Sequence, residues 1–106
     1  MSITYRRGKA LEDYVAKRLG GVRVGLTGKA TSDVVAGQVS VECKERKELP
    51  GWLVDAVAQA EHNAGAGMIP VVVLHRLGDR HDRDLVVLRL GDFGSLGDGN
   101  DWHCIG

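Results

Sequence analysis

Apolar positions recur at helical spacing near the start of the chain: Leu11, Tyr14, Val15 and Leu19 share one face, and Gly20-Gly21 follows as a stop. A first helix is expected from about Tyr5 to Leu19. Val22 to Leu26 then alternates with the period of a strand. Two short runs come next, Val34-Val35-Ala36 and Val39-Ser40-Val41, separated by Gly37-Gln38. A two-residue loop with glycine first suits a type II′ turn, so the pair reads as a β-hairpin. The loop sets the register: Ala36 opposite Val39, Val35 opposite Ser40, Val34 opposite Val41 and Asp33 opposite Glu42.

Beyond the hairpin the pattern changes. The charged stretch Lys44-Glu45-Arg46-Lys47-Glu48 runs to Pro50-Gly51, and Trp52 to about Asn63 reads as a second helix with Leu53, Ala56, Val57 and Ala60 inward. Gly65 and Gly67 close it. Met68 to His75 reads as a buried strand, Leu77 to Asp84 as a charged loop and Leu85 to Leu90 as a further strand. The tail from Gly91 onward is glycine-rich, and no element is assigned to it. Helix, three strands, helix and two strands make an α/β sandwich, in which an antiparallel hairpin and a helical crossover build one mixed sheet.

Composition narrows this picture. A chain of 106 residues, 43% hydrophobic and 26% charged, fits a single compact domain over residues 1–106. Net charge is zero, but residues 1–50 carry ten Lys/Arg against six Asp/Glu, whereas residues 51–106 carry four against eight. The hairpin lies in the basic half, which points to an anionic partner. The start of the chain has no apolar run of the signal-peptide kind, and the apolar stretch Met68 to Leu74, interrupted by Pro70, is too short to span a bilayer. No membrane association is expected. Cys43 and Cys104 lack a CxxC spacing, so a reducing, cytoplasmic setting is expected.

The hairpin holds the candidate chemistry. Carboxylates opposite one another repel, and period-two alternation places Lys44 on the face of Glu42. Such a face suits a hard divalent cation such as Mg²⁺, which takes one or two protein carboxylates and completes its shell with water and phosphate. A lysine beside that cation suits phosphodiester hydrolysis. Two other readings fail. Gly25-Leu26-Thr27-Gly28-Lys29-Ala30 is not a phosphate-binding Walker loop, because Arg23 stands where the first glycine belongs and Ala30 where Ser or Thr is needed, so no nucleotide cofactor is expected. His75, His81, His103 and Cys104 lack a zinc-ligand spacing; His81 reads as part of a solvated turn and His75 as the end of a strand.

Arg6-Arg7-Gly8-Lys9, Glu12 on the first helix, Asp33 opening the hairpin, Glu42-Cys43-Lys44 on its second strand, and Gln59 in the next helix together resemble the PD-(D/E)xK nuclease superfamily. Within it the chain is similar to the small archaeal-type and phage Holliday junction resolvases, over roughly Arg6 to Phe93. Ser32 replaces the proline of the motif. The resemblance implies a restriction-endonuclease-like α/β sandwich with a central mixed five-stranded sheet flanked by helices. It implies Mg²⁺, with Mn²⁺ substituting, held by Asp33, Glu42, the carbonyl of Cys43 and Glu12. Lys44 would orient or deprotonate the attacking water, and Gln59 would touch the scissile phosphate or that water. From the residues, Glu12 falls at the border of the apolar face of the first helix, within reach of the hairpin carboxylates, with a plain surface glutamate as the lesser alternative, whereas Gln59 is equally a solvated helix position. Arg6, Arg7, Lys9, Thr27 and Lys29 are the expected phosphate contacts, which set affinity without reading sequence. The implied substrate is branched DNA, a four-way junction, cut by a homodimer with Trp52 and Leu53 as apolar anchors. Two alternatives stay open: a nicking, restriction or repair nuclease on the same scaffold, or a non-catalytic junction-binding protein.

Overall fold

The computed structural model describes residues 3–24 and 31–97, and of residues 3–7 the backbone alone. The fold is mixed α/β, with three helices and two small antiparallel sheets of three and two strands. The chain divides into two compact units, Met1–Lys47 with Gly94–Gly106, and Glu48–Phe93.

The first unit is built on helix α1 (Ile3–Leu19) and the sheet β1 (Val22–Arg23), β2 (Val34–Ala36) and β3 (Val39–Val41), with β2 in the centre. Helix α1 ends in a Schellman motif. Gly20 takes φ 68, its N–H reaches the Lys17 carbonyl at 3.4 Å, and the Gly21 N–H reaches the Ala16 carbonyl at 2.8 Å. This reversal drops the chain directly into β1. Gly21 has no room for a side chain, since a Cβ there would overlap the Val35 carbonyl oxygen and stand 2.7 Å from Ala36 Cβ. The helix therefore lies close against β2. Val15, Ala16 and Leu19 from α1 and Val34 and Ala36 from β2 are buried, Val34 completely, while Val35 between them is exposed.

The hairpin forms in the expected register, Ala36 with Val39, Val35 with Ser40 and Val34 with Val41. Gly37 takes φ 58 and, among the described residues, no non-glycine residue has positive φ, Gln38 included, as a type II′ loop requires. Strand β1 is shorter than expected, two residues, and Leu26 lies outside the described residues.

In the second unit, helix α2 (Gly51–Asn63) begins at Pro50, whose carbonyl accepts from the N–H groups of Leu53 and Val54 at 3.1 Å each. Leu53, Ala56, Val57 and Ala60, the positions expected to face inward, are half-buried. The helix packs on β4 (Val72–Leu74), which pairs antiparallel with β5 (Leu85–Val87), Leu74 opposite Leu85. Arg89, just past β5, forks onto the Glu61 carboxylate of α2 with contacts of 3.1 and 3.2 Å. That guanidinium pulls the Glu61 carboxyl below its ordinary range.

Strands β4 and β5 are also shorter than the expected Met68 to His75 and Leu85 to Leu90, and no residue of β4 is buried; larger differences from the sequence reading lie in the sheet and the tail. The described strands form two antiparallel sheets, and a five-stranded mixed sheet is not seen among them. Apolar runs mark where strands form but carry no information on which strands become neighbours. The glycine-rich tail also contains a helix, α3 (Leu90–Gly97). Gly94 is buried there against the Arg18 guanidinium, whose Nε stands 2.6 Å from where a Cβ would be, and Arg18 donates to Ser95 Oγ at 3.0 Å. A glycine used for such close approach looks, in sequence, like one that ends structure. Among the described residues no helix is long and apolar enough to cross a membrane.

Candidate functional site

The hairpin ladder stops at Val34–Val41. It does not continue to Asp33 opposite Glu42, because the Asp33 N–H donates to the Val41 carbonyl at 2.9 Å. The Asp33 side chain turns inward instead, and Oδ2 accepts from the backbone N–H of Cys43 at 2.7 Å. Asp33 thereby closes the open end of the hairpin and holds the segment after β3. Ser32 and Ser40 join hydroxyls across the same hairpin.

Burial keeps alternating past the ladder: Glu42 exposed, Cys43 half-buried, Lys44 exposed. The expected sharing of a face by Glu42 and Lys44 is seen directly, with Lys44 Nζ 3.5 Å from Glu42 Oε1. Cys43 points the other way as a free thiol. Burial pushes that thiol's pKa up, and the negative charges of Asp33, Glu12 and Glu42 push it further. Carboxylates from α1, the entry to β2 and the exit from β3 are thus within electrostatic reach of this thiol.

Glu12 is half-buried on α1, and it is anchored. Arg23 on β1 reaches back with Nη1 3.5 Å from Glu12 Oε1 and Nε 3.0 Å from Asp13 Oδ1. The sequence reading missed Arg23. Its only signal was a lone charge in a two-residue strand whose distance from α1 is set by the Gly20-Gly21 reversal.

The remaining expected residues are placed as follows. Lys9 is exposed on α1, and Arg6 and Arg7 lie in the helix with side chains outside the described residues. Thr27 and Lys29 lie outside the described residues. Gln59 is an exposed position on α2, in the second unit.

By donor type, Glu12, Asp33, Glu42 and the Cys43 carbonyl fit a hard cation. The three carboxylates are engaged by Arg23, by the Cys43 N–H and by Lys44 respectively, and are not among the described residues whose ligand atoms cluster. Among the described residues, the set whose ligand atoms all lie within 4.8 Å of one another is His75, His81 and Asp84.

Compared with protein-family models, with curated proteins and with solved structures, the chain matches none.

Proposed function

We propose that the first unit carries a metal-dependent nuclease centre of the PD-(D/E)xK kind, acting on DNA as a resolvase of four-way junctions. The observation that supports it is Asp33 bonded to the Cys43 N–H, with Lys44 beside Glu42 one residue to either side of Cys43, and Glu12 half-buried on α1. The reading brings with it the restriction-endonuclease-like sandwich and its mixed five-stranded sheet.

Phosphodiester hydrolysis needs a water brought in line with the phosphate and positive charge where negative charge develops. Asp33, Glu42, Glu12 and the Cys43 carbonyl would hold Mg²⁺ or Mn²⁺. When bound, such an ion lowers the pKa of its water and polarises the phosphoryl oxygen. Asp33 is kept in place by its bond to the Cys43 N–H, so the same contact orients the carboxylate and the carbonyl-bearing segment. Arg23 restrains Glu12. Lys44 carries an exposed ammonium beside Glu42, which would orient the attacking water and offset charge developing on the phosphate.

A junction is larger than a 106-residue chain can surround, and two-fold pairing would set two such centres against opposed strands. Trp52 on α2, 61% exposed, suits an apolar anchor for that pairing. Lys9, with Arg6 and Arg7 earlier in the same helix, would meet phosphates.

The test is cleavage of a labelled, immobile four-way junction against a linear duplex of equal length, with Mg²⁺ and with EDTA, by the intact protein and by Asp33→Asn. Paired, metal-dependent nicks on the junction alone, lost in the variant, are the expected result. Equal cutting of the linear duplex would replace the resolvase with a general nuclease, and tight binding without cutting would replace it with a non-catalytic junction binder.

A further inference from the structure

The second hairpin carries a constellation that the nuclease reading does not use. Strands β4 and β5 pair with Leu74 opposite Leu85, so the next positions outward are His75 and Asp84. Their side chains meet, His75 Nδ1 standing 2.6 Å from Asp84 Oδ1. A 3-10 turn over His81–Arg83 then brings a second imidazole to the same carboxylate, with His81 Nδ1 3.2 Å from Asp84 Oδ2. The two rings lie 4.4 Å apart, centroid to centroid. The backbone fixes this arrangement from both sides, because the Asp84 N–H donates to the His81 carbonyl at 3.1 Å.

We infer that His75 Nδ1, His81 Nδ1 and the Asp84 carboxylate form a binding site for one divalent transition-metal ion of the zinc class. Two imidazole nitrogens and a carboxylate oxygen are the donor set of zinc, cobalt and nickel, not of magnesium, which prefers oxygen alone. Three protein donors with a solvent molecule in the fourth position complete a tetrahedral shell. Donors about 2.0–2.2 Å from one ion stand roughly 3.3 Å from each other, so the His81–Asp84 separation already suits a shared ion. The shorter His75–Asp84 contact opens by a small rotation of the His75 ring. Asp84 is the inner member, its side chain 14% exposed, whereas His81 is 84% exposed and closes the site from the solvent side. Arg76, Arg80 and Arg83 are the cations nearby in sequence. Arg80 is paired with Asp82 at 3.1 Å, and Arg76 and Arg83 line a recess with His75 and Asp79. An ion there would tie β4, the 3-10 turn and β5 together. The inference does not rest on the nuclease reading.

The test uses the full chain, freed of metal, titrated with Co²⁺ followed by visible absorption and with Zn²⁺ in competition with a chromophoric chelator. One ion per chain with a tetrahedral Co²⁺ spectrum is expected. His81→Ala, an exposed change that leaves the hairpin intact, should weaken binding at least about 10- to 100-fold, the loss typical even of an outer-shell partner. His62→Ala, on exposed α2 surface, should leave it unchanged. The inference is overturned if the intact chain takes up neither ion, or if His81→Ala binds as the intact chain does. Equal loss in His62→Ala would overturn it too.

Discussion

Asp33 accepts a hydrogen bond from the backbone N–H of Cys43 at 2.7 Å, ten residues further along the chain. A carboxylate that secures the segment following β3 has both a structural and a proposed chemical duty, and two substitutions separate them. Asp33→Asn keeps an acceptor oxygen, so its melting temperature should stay near that of the intact protein while junction cleavage falls about 100-fold or more. Asp33→Ala loses the acceptor too, and should also cost about 1–2 kcal/mol in denaturant unfolding. Equal stability in the two variants would show that the bond holds nothing.

Lys44 and Glu42 form an exposed pair at 3.5 Å, with side chains 66% and 58% accessible. Such pairs contribute little to folding, at most several tenths of a kcal/mol. Lys44→Met should therefore unfold at nearly the same denaturant concentration as the intact chain, yet lose roughly 100-fold or more in cleavage, the scale on which removing one charge-stabilising donor acts. A Lys44→Met variant that cuts normally would confine this pair to a surface salt bridge.

Gly21→Ala tests the close approach of α1 to β2. The added methyl would overlap the Val35 carbonyl oxygen and crowd Ala36, backbone and core atoms that have little freedom to move. A loss of about 1–3 kcal/mol or more is expected from overpacking. Because the helix carries Glu12 and the Gly21 reversal leads to Arg23, cleavage should fall along with stability. Circular dichroism melts and junction assays on the same sample check both.

Cys43 gives a prediction in pH. Burial, then Asp33, Glu12 and Glu42, raise its thiol above the ordinary 9.0. Only the thiolate reacts with iodoacetamide, so in a Cys104→Ser background the alkylation rate should have its midpoint above pH 9. In Asp33→Asn the midpoint should move down without reaching the ordinary value, since burial remains. The folded-state pKa is raised, so the unfolded chain ionises first. The contribution of this thiol to stability should be fully present below pH 9 and lost as pH climbs through the folded value. A midpoint at or below pH 9 would refute the convergence of carboxylates on this thiol.

Several parts of this fold are legible in the chain because local chemistry decides them. Gly37-Gln38 sets the hairpin register, the spacing of Leu53, Ala56, Val57 and Ala60 sets the inward face of α2, and Gly20-Gly21 ends α1. What escapes is decided between elements. Arg23 meets Glu12 and Asp13 only because the helix reverses tightly into β1. His75 and Asp84 are joined by a ten-residue connection from one strand end to the other, so no two-residue turn announces their register, and the charged residues between them look like ordinary solvated loop. The ladder's early stop at Val34–Val41 belongs to the same class, since the Asp33 N–H turns onto the Val41 carbonyl.

The most deeply buried side chain among the described residues, Val34, is covalent neighbour to Asp33. One peptide unit thus links the buried core of the first unit to its proposed chemistry, and a survey of variants scored by activity alone will record both as one hotspot. Telling a broken catalyst from a broken scaffold at positions 33 and 34 requires two readouts on every variant. By the same logic, side-chain change at positions 33 and 34 is constrained twice, whereas the side chain of Val35 immediately after them faces out of the core.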